Sequence, residues 1–245
     1  MTAAEPDPAS PAARAGVVAL LWRTSTPGRR GPKPKLTVEQ IADAGIAIAD
    51  EDGLDAVTMQ RVADRLGATK MALYRYVSGR AELDAVMLDR ALDGLGEPGE
   101  GDWRSVLAQW ATELYRRATA SPWSVELVQR PHVPGPGELE WFEAGLSAMK
   151  DLALEGGEKL DVLVLLVGHV MSIVRQQAGG STPEDEMLKA LAPILAARAE
   201  QYPLTVAAFA RTGRAARDDA LRFGIERVIA GVEALVTERA DGTRV

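Results

Sequence analysis

TMQRVADRLGATKMALYRYV, Thr58 to Val77, decides how this chain is read, because its spacing describes two short helices joined by one tight corner. Val62, Ala63 and Leu66 put apolar groups on one helical face, and Leu73 and Val77 repeat the pattern four residues apart on the next. Gly67 falls between the two sets, where a residue free to take positive φ ends a helix, and the small Ala63 lets a second helix cross closely. Thr58 and Thr69 stand where N-caps belong, with hydroxyls able to accept from the open amides of each first turn. The spacing predicts a helix-turn-helix, a motif whose second helix enters the DNA major groove.

With Leu73 and Val77 turned inward, Thr69, Lys70, Met71, Ala72, Tyr74 and Tyr76 surround the leading end and flank of the second helix. Lys70 suits guanine O6/N7 or a phosphate, Met71 and Ala72 suit thymine methyls, and the tyrosine hydroxyls suit phosphates. A helix pair with a glycine corner is also common in helical proteins that never meet DNA, and tyrosines at helical spacing serve equally as packing residues. Spacing alone leaves both readings open.

From about Thr37 to Leu88 the chain resembles the DNA-binding domain of the TetR (tetracycline repressor) family of transcriptional regulators. The likeness is carried by TVEQIADAGIAIADEDGLDAVTM, RVADRLGATKMALYRYV and SGRAELDAVML, and most specifically by Gly67 to Thr69 with Leu73, Tyr74, Tyr76 and Val77. It implies that Met59, Gln60, Lys70, Met71, Ala72, Tyr74, Tyr76 and Arg80 occupy positions from which relatives touch DNA. It also implies that a helix after the head joins it to a ligand-binding body, and that the protein pairs into a homodimer. Beyond residue 90 the likeness is architectural, so no ligand residue is carried over.

Composition agrees with an all-α protein of two parts. The 245 residues have room for one large or two modest cores. The absence of cysteine excludes disulfides, thiolate metal sites and cysteine nucleophiles, and suits the cytoplasm. A net charge of -7 looks wrong for a DNA binder until it is divided: residues 23–80 carry ten Lys/Arg against seven Asp/Glu, or +3, which leaves -10 for the rest. Acidity away from the DNA face would orient the encounter.

Residues 1–22 form an N-terminal extension: MTAAEPDPASPAA lacks the apolar content to order itself, while Arg14 to Trp22 is apolar enough for a brief helix docked on the body. It lacks the features of a secretory signal. Residues 23–36 form a basic arm in which Arg29, Arg30 and Lys33 sit among prolines and glycines, ready to lie along phosphates or enter a minor groove, or simply to stay solvated. The head follows at 37–88, opened by a capping box of Thr37 and Gln40, with Ile41, Ala44 and Ile48 buried and Gly53 as its first stop. Arg80 to Leu95 reads as a fourth helix.

GLGEPGEG, 94–101, breaks any helix or strand and marks the boundary to a C-terminal region, 89–245, of four or five long helices. Helices are expected over Trp103 to Ser121, Pro122 to Val128, Glu138 to Leu154, Lys159 to Ala178, Pro183 to Tyr202 with a kink at Pro193, and Arg217 to Arg239. The helix at 159–178 is apolar nearly all round and therefore expected to be buried nearly all round, yet its apolar run is too short to cross a bilayer, so no membrane is implied. On the last helix Leu221, Ile225, Val228, Val232 and Leu235 make one stripe, with Gly224 and Gly231 a heptad apart beside it. Paired with 159–178, that stripe is the expected dimer seam, a four-helix arrangement about a twofold axis; packing within one subunit is the alternative.

Residues that bear chemistry are few. No dinucleotide or P-loop motif calls for a cofactor, and neither histidine stands in a metal-ligand or catalytic constellation. Trp110, Tyr115, Trp123, Trp141 and Phe142, with His169 or Arg175 as an oriented polar contact, are the expected lining of a small-molecule chamber, an expectation that rests on the resemblance. The reading as a whole is a homodimeric, ligand-responsive transcriptional regulator, most simply a repressor, on a near-palindromic double-stranded DNA operator. Activation of transcription, or a helical carrier or enzyme without DNA binding, are the alternatives.

Overall fold

The computed structural model describes residues 11–23, 36–94, 99, 101–178, 183–210 and 215–241, and among them every regular element is a helix. The chain divides into two compact units, residues 1–97 with 120–144, and residues 98–119 with 145–245.

In the first unit α1, Pro11–Leu21, opens on a proline at the position where a missing N–H costs nothing and buries Val17 and Leu20. It packs on α5, and Trp22 just beyond it donates its indole N–H to the Pro134 carbonyl at 3.2 Å. The second helix, α2, Val38–Asp52, starts on the expected capping box, Thr37 accepting from the Gln40 amide while the Gln40 side chain accepts from the Thr37 amide. Its buried residues Ile41, Ala44, Ile48 and their neighbours form the stripe that meets α5. Gly53, at φ 83°, ends it, and a 3₁₀ turn at Leu54–Ala56 leads to α3, Met59–Arg65, α4, Lys70–Leu73, and α5, Arg80–Leu92. Leu83, Val86, Met87, Leu88 and Leu92 are the buried side of α5.

The first unit continues past the expected boundary near residue 89. It takes in α7, Trp123–Gln129, and most of α8, Pro136–Ala148, because long-range hydrogen bonds tie them to the head. The Trp123 indole and the Ser121 hydroxyl both donate to Asp50 of α2, and the Gly137 amide donates to Asp89 of α5 at 2.8 Å.

The second unit is built on α6, Trp103–Ala120, α9, Gly156–Ala178, and α12, Ala215–Ala240. Leu163, Leu166, Val170 and Val174 line one face of α9 and Ile225, Ile229 and Val232 one face of α12, and the two helices pack along each other. Arg239 on α12 makes a two-pronged ion pair with Glu158 on α9, and Arg104 on α6 pairs with Glu233 on α12. Within the single chain α9 is covered on one side only: Val164 and Leu165 are each 59% exposed and Leu160 is exposed beside them. The helix expected from Pro183 to Tyr202 is α10, Pro183–Ala197, with Pro193 inside it; it ends in a turn five residues early, and a further short helix, α11, Pro203–Ala210, follows.

Candidate nucleic-acid interface

The corner between α3 and α4 is a Schellman stop. Gly67 takes φ 60°, its amide donates to Asp64, and the Ala68 amide reaches back to the Ala63 carbonyl at 2.9 Å. At that φ a Cβ would be strained, which is why a glycine stands there. Thr58 caps α3 by accepting from the Arg61 amide at 3.1 Å, and Thr69 caps α4 by accepting from the Ala72 amide at 3.2 Å. Two ion pairs, Arg61 with Asp52 and Arg65 with Glu51, fasten α3 to the end of α2.

Leu73 and Val77 are fully buried, so the opposite face of α4 looks outward. On it stand Lys70 and Met71, the latter 74% exposed, with Thr69 at the leading end; Ala72, Tyr74 and Tyr76 are half-buried on the flank. The Lys70 ammonium lies 5.6 Å from the centre of the Tyr74 ring, a cation–π contact that holds the lysine along the helix. Gln60 is exposed on α3 and donates to Asp64 at 2.7 Å. Arg75 is a cation that sequence reasoning passed over: it is exposed in the turn that follows α4.

Two residues expected at the DNA are turned elsewhere. Met59 is 5% exposed and belongs to the core of the head, on the side of α3 that also buries Val62 and Ala63, while Gln60 and Arg61 in the same turn face solvent. Arg80 spends its guanidinium internally, donating to Asp84 at 2.6 Å and to the carbonyls of Val57 at 2.6 Å and Leu54 at 3.1 Å. It thereby clamps the start of α5 to the residues just ahead of α3. Burial pushes the Asp84 carboxyl up, and the Arg80 hydrogen bond and charge oppose that push. Arg29, Arg30 and Lys33 lie outside the described residues.

The expected effector residues divide between the units. Trp123, Trp141 and Phe142 belong to the first, with Trp141 and Phe142 edge to face at 5.3 Å. Trp110, Tyr115, His169 and Arg175 belong to the second. Trp110 is buried beside Gly145, the Tyr115 hydroxyl donates to Gln177 at 2.8 Å, and Arg175 is exposed. His169 faces α12 of its own chain, its Nε2 3.1 Å from the Leu221 carbonyl and its ring against Gly224, so it acts as a packing contact between two helices.

Within the chain α12 packs along α9: Val232 is buried, Leu221 and Gly224 lie against His169, Val228 and Leu235 are half-buried, and Gly231 is open. The exposed residues of α12 include Phe223, Ala230, Gly231 and Ala234 among the charged Arg222, Glu226, Arg227 and Glu233. Among the described residues no group of three metal-ligating side chains gathers, and no helix is long and apolar enough to cross a membrane.

Comparison with known proteins agrees with this geometry. Residues 36–84 match the family described as bacterial regulatory proteins, tetR family, and residues 95–236 match the tetracyclin repressor-like C-terminal domain. The HTH-type transcriptional repressor DrrR1 of Streptomyces coeruleorubidus is 33% identical over 235 residues, spanning 90% of this chain and 86% of that protein. The tetracycline repressor protein class A from transposon 1721 of Escherichia coli is 24% identical, covering 86% of this chain and 97% of that one. Among solved structures, apo ActR from Streptomyces coelicolor superposes with a TM-score of 0.72 at 23% identity, over 85% of this chain and all of that one. A cap-locked helix pair with a polar outer face, and two family matches that together span most of the sequence, make this chain a member of the TetR family of transcriptional regulators.

Proposed function

We propose that this regulator is a repressor that binds a near-palindromic operator as a homodimer and is released by a small molecule. The observation that carries the reading is the outer side of α4 and the turn after it, where Lys70 and Met71 on the helix and Tyr74 and Arg75 in the turn are anchored by the Thr69 cap and the buried Leu73 and Val77. Lys70 and Met71 read base edges, Tyr74, Tyr76 and Arg75 hold phosphates, and Arg29, Arg30 and Lys33 extend the contact along the backbone. Repression is supported by the name of the DrrR1 relative. A small-molecule effector is supported by ActR, whose structure is known in complex with actinorhodin. Acting on DNA, the protein works in the cytoplasm.

Homodimerisation is supported by the apolar surface that α9 and α12 leave open, Leu160, Val164 and Leu165 on one and Phe223, Ala230 and Gly231 on the other. Exposed apolar patches of this kind favour a partner, and one helical head reads only a few base pairs. An effector received by the C-terminal helices releases DNA by preferring the state in which the heads do not fit, by about 1.4 kcal/mol for each tenfold change in population ratio.

Selection of bound sequences from a random duplex pool tests the reading. The expected product is a near-palindrome with half-sites about 34 Å or a multiple of that apart, bound with an affinity that falls steeply as salt rises. A carrier or enzyme would show neither symmetry in the recovered sequences nor a salt slope, and that result would retire the proposal.

A further inference from the structure

His132 sits in the loop between α7 and α8, its side chain 22% exposed and that of its neighbour Glu138 14%. Its Nδ1 lies 2.8 Å from the Arg130 carbonyl oxygen and its Nε2 2.9 Å from a Glu138 carboxylate oxygen. Both neighbours are acceptors. A neutral imidazole has one N–H and one lone pair, so it satisfies one neighbour and turns a lone pair on the other; only the imidazolium donates to both.

The loop so closed is the one that holds α5. Gly137, next to Glu138, donates its amide to Asp89 of α5, and Pro134 accepts from Trp22 behind α1. At its other end α5 grips the Leu54 and Val57 carbonyls through Arg80, immediately ahead of the Thr58 cap of α3. Ring, carboxylate, first turn of α8, α5 and the helix-turn-helix are thus joined by consecutive contacts within one compact unit.

We propose that His132 is a proton-operated latch: protonated, it closes residues 130–138 against α5 and steadies the helix-turn-helix in its DNA-binding pose; deprotonated, it opens that segment and operator affinity falls. The proposal rests on the DNA-binding reading for its last step only. The charged groups around the segment are mostly acidic. They are Glu138 and Glu140 on α8, Asp84, Asp89 and Asp93 on α5 with Arg90, Glu126 paired to Arg130 on α7, and Arg23 beyond α1. Such surroundings favour the cation. The Glu138 hydrogen bond holds His132 above its ordinary value of 6.5, against burial, which pulls it down. The folded state therefore binds this proton more tightly than the unfolded chain. The latch is fully closed below pH 6.5 and is lost as pH rises through the raised midpoint.

His132 and His169 are the only histidines, so NMR resolves both ring signals, and His132→Gln assigns the pair. The expected result is a His132 midpoint above 6.5 that drops in Glu138→Gln. Amides of α5, corrected for intrinsic exchange, should lose protection above that midpoint in the wild type and show no pH step in His132→Gln. On a duplex recovered from the random pool, wild-type Kd should rise about fivefold or more between pH 6 and 8.5, while His132→Gln stays flat. A midpoint at or below 6.5, a protection pattern indifferent to pH, or a pH dependence of Kd that survives His132→Gln would each overturn the latch. A chain with the raised midpoint and the exchange step that binds no duplex would instead overturn the DNA-binding reading.

Discussion

Met59 and Met71 belong to the same motif and do opposite jobs. Met59 is 5% exposed and Met71 74%, so the first should carry stability and the second recognition. Met59→Ala is expected to cost about 2–5 kcal/mol in a denaturant titration, the usual range for emptying a buried methionine site, whereas Met71→Ala leaves the midpoint in place. Lys70→Ala, which touches no core residue, should weaken operator binding by about 1–3 kcal/mol and relax the preference at one base pair if it reads a base edge. Tyr74→Phe removes only a hydroxyl and should weaken all duplexes alike, since a phosphate contact carries no sequence. Full affinity in both variants would take that face off the DNA.

Among the elements, the α3–α4 corner is the one whose geometry a single atom can break. A Cβ on Gly67 would meet nothing within 4 Å, so Gly67→Ala tests backbone conformation alone. It should lower unfolding free energy by about 1–2 kcal/mol, and Gly67→Asn, which tolerates left-handed φ, should recover much of that. Equal loss in both would mean that the side-chain surroundings, and not φ, select glycine. This corner was legible in the sequence because caps and stops are local: Thr37, Thr58, Thr69 and Gly67 act on residues three to five positions away. Met59 was not, because a methionine after an N-cap has the same spacing whether its side chain faces solvent or the core. The stripe on α12 was legible as a stripe, but periodicity tells which side of a helix is apolar and not which chain covers it. The bonds that bring α7 and the start of α8 to the head, Trp123 to Asp50 and Gly137 to Asp89, join residues far apart in sequence and leave no local signal.

At the scale of the whole molecule, the division of apolar surface on α9 separates folding from association. Leu163, Leu166, Val170 and Val174 face inward and hold the second unit together, while Val164 and Leu165 face out and add nothing to that core. Placing carboxylates there, in Val164→Glu with Leu165→Glu, should leave the melting temperature of the isolated chain nearly unchanged. If the exposed face is the dimer seam, each charge enters twice across the twofold axis, and burying unpaired like charges costs several kcal/mol, enough to dissociate the pair. Light scattering should then give the monomer mass, and operator affinity should fall toward that of a single head. Val232→Ala, on the inward side of α12, should do the reverse, lowering thermal stability while the dimer dissociation constant holds. A double variant that still sediments as a dimer would move the seam off this face, and with it the geometry by which two α4 helices are spaced along DNA.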